Sequence, residues 1–144
     1  MRSAARLLRK FLALPPRKQA VLIQAAILLA SVRISLKTMP FQKARSLVDR
    51  ISESSGSANK PEAVEDIVWA VDVLGKRMPG SCLTQAFAAR ILLGRRGVPT
   101  RLHIGAVKEE GGRFLAHAWL ESNGQIVIGG HELERYTPLV SLEK

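Results

Sequence analysis

Pro79-Gly80-Ser81-Cys82-Leu83-Thr84-Gln85-Ala86 is a turn that runs straight into an amphipathic helix, and it holds the only cysteine of the chain. Ser81 is a good N-cap and Gly94 a good stop, so the spacing predicts a helix from Cys82 to Gly94. Leu83, Ala86, Phe87 and Ile91 share its apolar face. A core against that face would hold the helix in place and aim Cys82. Helix N-termini carry unpaired N–H groups and the positive end of the peptide dipoles, and both favour a thiolate over a thiol.

Downstream of Val98-Pro99 the apolar period changes from 3.6 to 2. Leu102, Ile104 and Ala106 alternate with Arg101, His103 and Gly105; Glu110-Gly111-Gly112 turns the chain; Phe114 to Glu121 forms a second strand. Asn123-Gly124 is a strong two-residue hairpin signal, and Gln125 to Ile128 returns as a third strand. Helices followed by an antiparallel meander make an α+β domain. The second strand carries Ala116-His117-Ala118-Trp119, so a helix-start cysteine precedes a strand-borne histidine. That is the chain order of papain-like and transglutaminase-like enzymes. Taken singly, a free cysteine is as a rule a small buried hydrophobe; the pairing with His117 in this order points to a nucleophile and its base.

A Cys–His pair is usually completed by a group that orients the imidazole. With a two-residue turn at Asn123-Gly124, Ser122 pairs with Gln125 and His117 falls opposite Gly130, making Glu132 its diagonal neighbour on one face. Glu121 lies about 13 Å along the strand and is too far. Glu132 is therefore the expected third member. The Cys82 backbone N–H is the expected first oxyanion donor, and no second donor is evident. His103 reads as a polar strand position, and Trp119 as core with an edge at the site.

The N-terminal side is different in kind. Residues 1–50 hold eleven Lys or Arg against Asp49 alone, while the remaining 94 residues balance at eleven basic and eleven acidic. The net charge of +10 thus belongs to one third of the chain. Three organisational units follow: a basic helical segment over 1–51, a polar linker Ser52 to Lys60, and a catalytic unit over 61–144. Arg2 to Leu14, Arg17 to Lys37 and Gln42 to Ile51 read as helices, and a further helix starts at Pro61. The apolar run Ala20 to Val32 makes about 20 Å of helix, short of the roughly 30 Å hydrocarbon core. A buried or partner-facing helix, or contact with an anionic membrane surface, suits it better than a span. The long basic segment before it, and Arg33 and Lys37 after it, argue against a signal peptide.

One cysteine excludes an internal disulfide, and three scattered histidines offer no zinc spacing. The expectation is a reducing, cytoplasmic setting with no metal or cofactor. The basic third carries only Phe11 and Phe41 among its aromatics, which argues against a nucleic-acid partner.

Four blocks together resemble the lasso-peptide leader peptidases, the transglutaminase-like cysteine proteases of ribosomal peptide maturation. They are Met78 to Ala86, Leu92-Leu93-Gly94-Arg95-Arg96-Gly97-Val98-Pro99, Ile104 to Lys108 and Ala116 to Glu121. Val32-Arg33-Ile34-Ser35-Leu36 and Met39-Pro40-Phe41 extend the likeness over nearly the whole chain. The resemblance implies a papain/transglutaminase-like core, with a Cys-bearing helix on an antiparallel sheet and an N-terminal helical segment. It implies Cys82 as nucleophile, His117 as base, and removal of the leader from a lasso precursor peptide. A separate leader-binding protein would present the precursor, and an asparagine-synthetase-like cyclase would close the macrolactam afterwards. The basic N-terminal helices are then candidates for docking an acidic leader or the partner. The family is described with an aspartate after the histidine strand, and this chain has none beyond Asp72. Gly129-Gly130-His131-Glu132 occupy that region, leaving Glu132 as a substitute or a Cys–His dyad. A transglutaminase-like acyltransferase would use the same pair, and a non-enzymatic basic adaptor would use neither.

Overall fold

In the computed structural model, residues 2–53, 61–78, 82–130, 133 and 137–142 are described. The elements in chain order are α1 (Arg2–Leu12), α2 (Pro16–Thr38), α3 (Phe41–Glu53), α4 (Pro61–Gly75), α5 (Cys82–Gly94), β1 (Arg101–Lys108), β2 (Phe114–Ser122), β3 (Gln125–Ile128) and β4 (Thr137–Leu142). Pro16 and Pro61 sit at helix starts, where a missing N–H costs nothing. Among the described residues the α+β layout is five helices followed by one antiparallel sheet.

The sheet order is β3-β2-β1-β4. β4 is a strand that periodicity did not reveal: Pro138 breaks the usual signal, yet proline is admissible on an edge strand. Asn123 and Gly124 both have positive φ, 51° and 77°, the geometry of a hairpin turn that requires left-handed residues. The pairs Ser122–Gln125 and Glu121–Ile126 follow the expected register. Then the register shifts, and Leu120 faces Ile128 instead of Val127. Val127 is the extra residue of a bulge, so the expected juxtaposition of His117 with Gly130 does not follow. A bulge has no sharp sequence signature; it bends the strand and increases its local twist.

One continuous core joins α2–α5 to the sheet. Val21, Ala25, Ala44 and Val48 from the basic N-terminal third share it with Ile67, Phe87, Leu93 and Leu120. Phe87 is fully buried, and Phe41 stacks on it at 6.0 Å. Helices on either side of the polar stretch 52–60 therefore belong to one packing unit. Asp49, the lone acid of the first fifty residues, explains part of this. Its Oδ1 accepts from Nε and Nη2 of Arg90, both at 3.0 Å, and Arg90 Nη1 donates to the Thr100 carbonyl at 3.1 Å. Arg90 is only 3% exposed. α3, α5 and the entry to β1 are tied together through that one guanidinium.

Candidate active site

Cys82 is the first residue of α5, half-buried and not in a disulfide. The helix it opens is buried along nearly its whole length, Ala86 to Leu93 included, so the position of the thiol is set by the core. His117 lies in the middle of β2, which packs against α5 and is held by β1 and β3 on its two sides. Ala118 and Leu120 enter the core, so alternation gives His117, Trp119 and Glu121 the other parity.

Both residues line a cleft of about 630 Å³. One wall is α4, through Val64, Val68 and Trp69; the other is β3 and the Gly129-Gly130 segment; Cys82, Gln85 and His117 lie between. The apolar stripe of α4 thus serves two surfaces. Ile67 and Val71 are fully buried in the core, while Val64 and Val68 are partly exposed to the cleft. Gln85, one helical turn from Cys82, is a polar cleft residue that sequence reasoning passed over.

His117 Nε2 is 2.7 Å from the carbonyl oxygen of Gly129. A carbonyl can only accept, so this contact requires Nε2 to carry the proton and leaves Nδ1 as the basic nitrogen of the neutral ring. The orienting group found in the described structure is therefore a backbone carbonyl. Glu132, the expected third member, lies outside the described residues, as do Ser81 and His131. Gly129 is suited to the task by its backbone: φ is +79°, and a Cβ there would stand 2.6 Å from the Ala118 oxygen. Only glycine takes up that position without strain. Gly129→Ala is expected to cost about 1–2 kcal/mol in left-handed strain alone. It should also displace the carbonyl, which imidazole ¹⁵N spectra would register as loss of the Nε2–H tautomer.

A ring stack stands behind His117. Trp119 lies parallel to His103, with centroids 5.4 Å apart at 10°, and next to His117 at 6.1 Å and 23°. His103 Nε2 donates to Glu121 Oε2 at 2.9 Å, closing the row. His103 is thus a partner of Glu121 and lies outside the cleft lining, and Trp119 supports the back of the His117 ring. Among the described residues no group of His, Cys, Asp and Glu is arranged to hold a metal.

A thiol at a helix start, an imidazole with one nitrogen fixed as donor, and an open cleft between them suit acyl transfer through a thioester. A family model described as the transglutaminase-like superfamily matches residues 26–141. Neither the curated proteins nor the solved structures contain a match to the chain.

Proposed function

Because the chain belongs to the transglutaminase-like superfamily, we propose that it is a cysteine peptidase, with Cys82 as nucleophile and His117 as general base, that removes the leader from a ribosomally made lasso precursor. The observation that carries this is the single cleft lined by Cys82 at the start of α5 and by His117, whose Nε2 is committed to the Gly129 carbonyl. The peptide specificity rests on the resemblance of the Cys82 and His117 blocks to leader peptidases.

In this reading His117 Nδ1 takes the Cys82 proton, and the thiolate attacks the carbonyl carbon of the last leader residue. The oxyanion that forms is met by the N–H at the head of α5, where the helix dipole also favours negative charge. The imidazolium then gives its proton to the departing amine, the new N-terminus of the core peptide. Water, deprotonated by the same nitrogen, attacks the thioester and releases the leader with a free carboxylate. Gly129 holds the ring through both proton transfers. A separate leader-binding protein would present the precursor, as the resemblance to leader peptidases implies.

The test is incubation of precursor, leader-binding partner and this protein, followed by mass spectrometry. One cut at the leader–core junction, with mass gained equal to one water, is expected. Products joined without that water would identify an acyltransferase. Cleavage that persists in Cys82→Ala would overturn the reading and leave a non-enzymatic adaptor.

A further inference from the structure

The first 48 residues hold ten Lys and Arg and no Asp or Glu. Some of these charges are used internally: Arg17 and Lys18 reach Asp66 of α4, at 3.0 and 4.0 Å, and Lys18 also lies over Trp69. Among the described residues, Arg6, Arg9 and Lys10 of α1 form no such ion pair with α4. At 100° per residue Arg6, Arg9 and Lys10 fall on one side of α1, while Leu7, Leu8 and Leu12 fall on the other. A soluble helix with that division buries its apolar side, yet Leu8 is 58% and Leu12 64% exposed. Gln19 Nε2 donates to the carbonyls of Phe11 and Leu14, at 3.2 and 2.9 Å, and keeps α1 against the start of α2.

α2 repeats the anomaly. Its inner stripe, Val21, Ala25, Leu29 and Val32, is buried against the core. Its outer stripe is also apolar: Ile23, Ile27 and Ile34 follow i, i+4, i+11, and Ile27 and Ile34 are 60% and 62% exposed. The helix is long and apolar enough to cross a bilayer, but its inner stripe is already the floor of a protein core. It can lie on a membrane; it cannot span one while folded.

We infer that α1 and the outer stripe of α2 form an interfacial anchor that seats the folded protein on an anionic lipid surface. The basic face and the apolar face of α1 are the composition of helices that lie in the headgroup region, and the outer stripe of α2 adds exposed apolar surface. A second copy is a poor occupant, because self-contact would bring two unbalanced basic segments together. A protein groove is disfavoured by the kind of side chain exposed: Leu and Ile stand out, where protein interfaces favour Tyr, Trp and Phe anchors. Phosphate headgroups and acyl chains satisfy both halves of the surface at once.

Sedimentation of the whole 144-residue chain with vesicles tests this. Vesicles of phosphatidylcholine with about a third phosphatidylglycerol should bind at least tenfold more tightly than phosphatidylcholine alone. Salt at about 1 M should abolish that preference. Arg6→Gln and Arg9→Gln should each weaken binding about fivefold. The pair Leu8→Glu and Leu12→Glu should abolish it with an unchanged melting temperature, since both positions are in solvent. Equal binding to both vesicle types, no binding, or variants that bind like wild type would overturn the proposal. A wild-type dimer that the leucine variants convert to monomer, with no vesicle binding, would assign the surface to a second copy instead.

Discussion

Cys82→Ala is expected to lower kcat on the precursor by on the order of 10⁴-fold or more, and His117→Ala by a similar factor. In the proposed mechanism the two side chains act as a unit. The thiol is a weak nucleophile until its proton has a destination, and an imidazole without a nucleophile beside it has nothing to activate. The double variant should therefore be no slower than Cys82→Ala alone. Strictly multiplicative losses would show that the two do not act in one step. Alkylation of Cys82 by iodoacetamide gives an independent reading, since it should slow in His117→Ala while the melting temperature stays at the wild-type value. Retention of the fold is expected because neither residue belongs to the fully buried core. His117→Gln is a sharper probe than alanine, because its amide can still donate to Gly129 but cannot take a proton.

The second large effect is on stability. Asp49→Ala should cost about 3 kcal/mol, equivalent to a fall in Tm of roughly 10 °C for a domain of this size. The carboxylate itself is partly exposed, at 27%, so its own desolvation is a minor contribution. The cost comes from the Arg90 side chain, 4% exposed, left charged and buried with the Thr100 carbonyl as the acceptor described for it. Thermal or urea unfolding checks the size. Arg45→Ala is the control: its 3.7 Å contact with the same carboxylate is partly exposed on both sides and should matter by less than about 1 kcal/mol. Arg90→Met combined with Asp49→Leu should recover most of the loss, because an apolar pair leaves no buried charge behind. A loss in Asp49→Ala no larger than in Arg45→Ala would show that Arg90 draws its compensation from elsewhere.

The pair also explains how the basic third of the chain joins the same core as α4, α5 and the sheet. Charge and the polar stretch 52–60 set residues 1–51 apart when the chain is read along its length. Asp49 and Arg90 are 41 positions apart, and nothing in either neighbourhood announces the partner. Val21, Ala25 and Val48 likewise read only as members of apolar stripes. Their joining of α5 is a packing decision.

Much of this protein was legible in its sequence for a simple physical reason: local steric codes act over a few residues. Prolines at 16 and 61 start helices, Gly94 ends one, the period changes at Val98, and Asn123-Gly124 makes a left-handed turn. The order of a helix-start Cys82 and a strand-borne His117 was visible for the same reason. What only the tertiary structure decided concerns groups without a side-chain signature. The bulge at Val127 moved the register by one residue and undid the placement of His117 opposite Gly130. The carbonyl of Gly129, identical in chemistry to every other carbonyl, became the partner of His117 because a left-handed glycine could pass within reach of Ala118 and Trp119. β4 joined the sheet despite Pro138, because an edge forgives a missing donor. Side-chain type and spacing determined which elements form and where Cys82 and His117 sit on them; backbone geometry, set by the packing of distant segments, decided which groups they meet.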